Sequence, residues 1–114
     1  MIQIYHNPRC GKSRSCLAFI DQSKKEYEII PYLTDTPSFT ELKELLTKLN
    51  LKPIQLVRIK ENIWTENYKG KDLSDDEIIQ AMTENPILIE RPIVIKDGKA
   101  IIGRDLDLVA DFLD

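Results

Sequence analysis

The chain has little cysteine and histidine: two cysteines and one histidine in 114 residues. Two cysteines make no disulfide framework, and a chain of this length can bury a core that holds a fold without one. His6, Cys10 and Cys16 match no zinc-ligand spacing, so no metal is expected. An excess of positive charge is also missing. The 16 Lys and Arg stand against 19 Asp and Glu, a net charge of -3, which argues against a generalised nucleic-acid surface. No apolar run approaches the ~20 residues that span a bilayer. The apolar run in MIQIYHNPRC is far too short for a secretory signal. These absences lead us to expect a cytoplasmic monomer with no membrane or nucleic-acid partner, whose thiols stay reduced.

What is present is a single-domain pattern over 1–114 without repeats. Ile2–His6 alternates apolar and polar residues and reads as a strand. Asn7-Pro8 breaks it, and a helix opens near Gly11 and runs to about Gln22. Tyr27–Tyr32 is a second strand, with Pro31 placing it at an edge or an end. Ser38…Glu41 and Ser74…Glu77 are capping boxes that open two helices, the second reaching Met82. Pro53 starts a short helix through Val57, while Asn62–Lys71 reads as polar loop. Ile93–Ile95 and Ala100–Ile102 form a hairpin across Asp97-Gly98, and Asp105 caps a last helix, Leu106–Leu113. The order β-α-β, a helical insert at about 38–84, a β-hairpin and a terminal helix predicts an α/β, thioredoxin-like fold. Its sheet would be mixed and four-stranded.

Cys10 falls where the first strand meets the first helix. Unpaired backbone N–H groups and the helix dipole favour negative charge there, and a thiolate is such a charge. Arg9, Lys12 and Arg14 add positive potential. Other phosphate and thiol motifs fail on spacing. The glycine that a P-loop ending Gly11-Lys12-Ser13 requires is His6. The arginine of a tyrosine-phosphatase loop would fall at Cys16, and Ser13 takes the place of the second thiol in a Cys-x-x-Cys pair. Cys16, inside the helix, reads as a core residue. His6 reads equally as a partner of the Cys10 thiolate or as a plain strand-end residue.

Arg58, Arg91 and Arg104 lie far along the chain, each beside an apolar segment. Arginine suits bidentate recognition of oxyanions, but sequence spacing does not show where these three meet. Taken together, three ordered motifs resemble the glutaredoxin-coupled arsenate reductases of the ArsC family. The motifs are Tyr5-His6-Asn7-Pro8-x-Cys10-Gly11-x-Ser13-Arg14, Asn85-Pro86-Ile87-Leu88-Ile89-x-Arg91-Pro92-Ile93-Val94 and Gly103-Arg104. The family often carries Arg-Pro at the last motif, whereas here Asp105 follows Arg104 and either pairs with it or caps the terminal helix.

The resemblance implies Cys10 as nucleophile and Arg58, Arg91 and Arg104 as ligands of arsenate. His6, Ser13 and Arg14 would be supporting residues, and Pro92 a cis-proline beside the site. It further implies that arsenate is reduced to arsenite through a Cys10 adduct resolved by glutathione and glutaredoxin. Glutathione would be a co-substrate, and no cofactor would be bound. Two other readings of the same chain are an ArsC-like thiol oxidoreductase with another substrate and a non-enzymatic regulator of the Spx type. Ser13 argues against the regulator, which uses a Cys-x-x-Cys switch. The arginine set argues against a plain glutaredoxin-like thiol transferase.

Overall fold

A computed structural model describes every residue, Met1–Asp114. Its contacts divide the chain into two compact units, one of Met1–Asp35 with Arg91–Asp114 and one of Thr36–Glu90.

The first unit is built on a four-stranded mixed sheet in the order β2-β1-β3-β4. The strands are β1 (Ile2–Tyr5), β2 (Tyr27–Ile30), β3 (Ile93–Lys96) and β4 (Lys99–Ile102). β1 and β2 are parallel, joined through helix α1 (Gly11–Gln22), the crossover that a parallel pair requires. β3 runs antiparallel to both β1 and β4. The β3–β4 turn places Asp97 and Gly98 at φ 53° and 75°, the left-handed geometry that makes Asp-Gly a hairpin signal. β2 is an edge strand and stops just before Pro31, whose missing N–H would break a longer ladder. The last helix, α6 (Leu106–Leu113), starts at Asp105, whose carboxylate accepts from Asp107 N–H at 2.9 Å. Asp105 therefore acts as the helix cap.

Alternation along the strands sends Ile2, Ile4 and Val94 to one face. There they pack with Cys16 and Ile20 of α1 and with Val109 and Leu113 of α6, all buried. Lys96 Nζ donates to Leu113 O at 2.6 Å and ties the end of α6 to β3.

The second unit is helical: α2 (Phe39–Leu49), α3 (Pro53–Leu56), α4 (Asn62–Asn67) and α5 (Asp75–Glu84), then a 3-10 turn over Pro86–Leu88. Both expected capping boxes form, with Ser38 and Ser74 accepting from Glu41 N–H and Glu77 N–H. The Glu side chains accept in return from the serine N–H groups. Leu42, Leu45 and Leu46 of α2 and Ile78, Ile79, Ala81 and Met82 of α5 are the buried faces of the two helices.

One element departs from the sequence reading. Residues 62–67, expected as loop, form α4. The cause is burial rather than propensity. Trp64 is buried and stacks on Tyr68 one turn later, with centroids 5.3 Å apart, and Asn85 Nδ2 donates to Tyr68 Oη at 3.2 Å. Val57 also leaves its helix one residue early and pairs with Ile89 in an isolated antiparallel bridge. No helix is long and apolar enough to cross a membrane.

Candidate active site

Asn7-Pro8-Arg9-Cys10 is the turn that feeds α1. Asn and Pro suit its first two positions, and Cys10 N–H donates to Asn7 O at 3.0 Å to close it. Asn7 Oδ1 accepts from Arg9 N–H at 3.0 Å. From behind, Arg14 Nη1 donates to Pro8 O at 3.0 Å. Cys10 is thereby placed at the N-cap of α1 with an extended backbone, φ -101° and ψ 122°.

An N-cap side chain normally offers an oxygen to the second and third helical N–H groups. Cys10 makes no such capping hydrogen bond, but its sulfur lies near enough to the Lys12 and Ser13 N–H groups for them to favour a thiolate. Burial pushes the Cys10 thiol up. The Ser13 N–H, the Arg91 side chain and the Lys12 N–H, together with the Arg91 charge, outweigh it, so the pKa lies below its ordinary value. The first turn of α1 holds no acidic residue to oppose this.

Ser13 is fully buried, and its hydroxyl is the hub beneath the turn. Ser13 Oγ accepts from Asn7 N–H at 2.9 Å and shares a 2.6 Å hydrogen bond with His6 Nδ1. Burial, and then the Arg14 charge, push the His6 pKa below 6.5. A neutral imidazole is thus favoured at neutral pH, and its hydrogen-bond partner is Ser13. Of the two roles open for His6, partner of the thiolate and plain strand-end residue, neither describes this contact, in which His6 braces the loop through Ser13.

Arg91 follows from the sheet. The Arg91–Pro92 peptide bond is cis, as expected. β3 pairs with β4 as Ile93↔Ile102, and Gly103 N–H donates to Pro92 O at 2.8 Å, carrying the ladder one pair beyond the strands. Arg91 precedes Pro92 and Arg104 follows Gly103, so the two arginines flank this last bonded pair, one in a bend and one in a turn. Two arginines distant in sequence thus share one strand end, and the first of them hydrogen-bonds Cys10.

Arg58 belongs to the second unit. Its N–H donates to Leu88 O at 2.7 Å, its Nη1 donates to Ile87 O at 3.2 Å, and Nη2 lies 2.8 Å from Glu61 Oε1. Among the predicted site residues, the structure gathers Cys10, His6, Ser13, Arg14, Arg91, Pro92 and Arg104 into one unit and places Arg58 in the other.

Sequence reasoning assigned no role to Asn7 or Gly103. Asn7 is buried and bonds through N–H, C=O and side chain, and its signal was the Asn-Pro turn. Cys16 has no solvent exposure, and burial pushes its thiol up to about 11. It is a core residue, as read.

The model of the ArsC family matches residues 5–112. An "Arsenate reductase" of Neisseria meningitidis serogroup A is 37% identical over 108 residues, 93% of this chain and 92% of that one. Among solved structures, one from Yersinia pestis is 45% identical with a TM-score of 0.91, covering 97% of this chain and 99% of its own. "Arsenate reductase from Vibrio cholerae" is 42% identical with a TM-score of 0.90, covering 96% and 95%. A strand–Cys–helix turn, a cis-proline strap and a family match over nearly the whole length lead to one statement: this chain belongs to the ArsC family of thioredoxin-like proteins.

Proposed function

We propose that the protein is an arsenate reductase with Cys10 as nucleophile. The observation that carries the reading is the Cys10 thiol itself. It sits at a helix N-terminus, where the Ser13 and Lys12 N–H groups and the Arg91 guanidinium lower its pKa. These groups stabilise a thiolate and, beside it, an oxyanion.

The Cys10 thiolate attacks the arsenic of arsenate. A sulfur–arsenic bond forms, an arsenic–oxygen bond breaks, and the oxygen leaves as water after protonation. Arg91 and Arg104, and in this reading Arg58, offset the charge on the remaining oxygens. Glutathione displaces a second oxygen of the adduct as water, forming a second sulfur–arsenic bond. A glutaredoxin thiol then attacks the glutathione sulfur, an S–S bond forms, and the sulfur–arsenic pair passes to arsenic as As(III). Water releases arsenite from Cys10. In total two thiols become one disulfide, As(V) becomes As(III), and one oxygen becomes water.

The second thiol comes from outside in this account because Cys16 is unsuited to supply it: its thiol is inaccessible and stays protonated. The relatives from Neisseria and Vibrio named as arsenate reductases support the choice of oxyanion. The test is arsenate-dependent NADPH oxidation with glutathione, glutaredoxin and glutathione reductase, each thiol component omitted in turn. Turnover that needs both supports the reading. Absence of arsenate-dependent turnover in the complete mixture rejects it, and turnover without glutaredoxin rejects the proposed donor.

A further inference from the structure

Gly103 lies in an extension of the β3–β4 ladder and faces α1. A Cβ built on it would sit 2.8 Å from Cys16 Sγ, 3.1 Å from Val94 Cγ2 and 3.4 Å from Pro92 Cγ. The first distance is closer than carbon and sulfur can approach, and Cys16 and Val94 have no solvent exposure into which to turn, so a side chain here presses on the strand itself. The displaced backbone would be the one that matters to the site. Gly103 N–H holds Pro92 O at 2.8 Å, Pro92 follows Arg91, and Arg104 follows Gly103. By contrast, a Cβ on Gly11, beside the nucleophile, would meet only Arg14 Nη2 at 3.8 Å, an ordinary contact.

We propose that Gly103 is a positioning residue, whose bare Cα seated on Cys16 sets the strand end that delivers Arg91 to the Cys10 thiol and carries Arg104, next in sequence. Cys16 is the floor of this seat. A buried thiol is compact enough to leave room for a backbone at contact distance. For its catalytic meaning the inference rests on Arg91 and Arg104 being oxyanion ligands. Its test needs no oxyanion, so failure of the arsenate reading and failure of this one are separable.

The experiment is titration of the Cys10 thiolate by absorbance at 240 nm in wild type, C16A, G103A and C16A/G103A. Below pH 9 the signal belongs to Cys10, because burial holds Cys16 near 11. Gly103→Ala is expected to move the midpoint up by ~0.5–1 pH unit as the Arg91 contact loosens. Cys16→Ala alone keeps the glycine and its Pro92 hydrogen bond, so it shifts the midpoint less than Gly103→Ala and is the baseline for the double variant. The double variant falls between, because removing Sγ relieves the 2.8 Å clash but leaves the 3.1 Å approach to Val94. If G103A does not fold, C16A/G103A is compared with C16A and still shows an upward shift. Equal midpoints in the folded glycine and alanine forms overturn the proposal, as does a double variant displaced as far as G103A.

Discussion

Ser13→Ala removes one hydroxyl from a site with no solvent exposure. Two groups lose their partner at once: Asn7 N–H, which donates to Ser13 Oγ at 2.9 Å, and His6 Nδ1 at 2.6 Å. A buried donor left without an acceptor costs ~1–3 kcal/mol, and loss of a typical net hydrogen bond costs ~0.5–1.5 kcal/mol. The expected destabilisation is therefore ~2–4 kcal/mol, a large share of the ~5–15 kcal/mol that holds an ordinary domain. For a chain of this length that lowers Tm by roughly 8–20 °C. Urea unfolding followed by far-UV circular dichroism reads it as a lower midpoint with an unchanged slope. Ser15→Ala, on an exposed position of the same helix, is the control and is expected to change stability by less than ~0.5 kcal/mol. If S13A unfolds at the same urea concentration as S15A, the hydroxyl does not hold the turn and the account of the loop is wrong.

Three further outcomes follow from the same geometry. The His6 pKa is lowered in the folded state by burial and by Arg14, so acidification protonates the unfolded chain first. The stabilisation is present above 6.5 and is lost as pH falls through the lower folded-state value. His6→Asn should flatten stability against pH in that window, and an unchanged profile would contradict the assignment. Iodoacetamide should modify the native protein once, at Cys10, below pH 9. Cys16 should react only in denaturant, and peptide mass spectra that find Cys16 modified in the native state would refute its burial. Trp64→Ala should cost ~3–5 kcal/mol and melt α4, read as a drop in urea midpoint and helical ellipticity. Retained stability would mean that Trp64 does not hold that helix.

Much of the fold was legible because its signals are local. The two capping boxes, the Asp97-Gly98 turn and the Asn7-Pro8 break each specify a backbone geometry within four residues, and the structure carries all of them. Cys10 was legible for the same reason, since a strand–turn–helix boundary places a side chain at the amide cluster from short-range pattern alone. Helix α4 was not legible. Its residues are polar, and what fixes them is the burial of Trp64 and the tie from Tyr68 to Asn85, 17 residues away. Gly103 belongs to a motif, but its neighbours in sequence supply no reason for a glycine there. The reason joins it to Cys16 on a different element, a contact that no window of sequence contains. The arginines fall between these cases. Arg91 and Arg104 are related by a hairpin register readable once Asp97-Gly98 is fixed as its turn, whereas Arg58 depends on how a separate unit folds.

In the reading proposed above, arsenate is reduced through a covalent Cys10–arsenic adduct, with glutathione and glutaredoxin as reductants. Arsenic speciation of the product, by chromatography with elemental detection, tests it most directly. With arsenate, glutathione and glutaredoxin, the wild type should convert As(V) to As(III) over many turnovers. Cys10→Ser should fall to the rate of the protein-free mixture, while its circular dichroism stays that of the wild type. Arsenite formed at the wild-type rate by Cys10→Ser, or none formed by the wild type, would contradict the account.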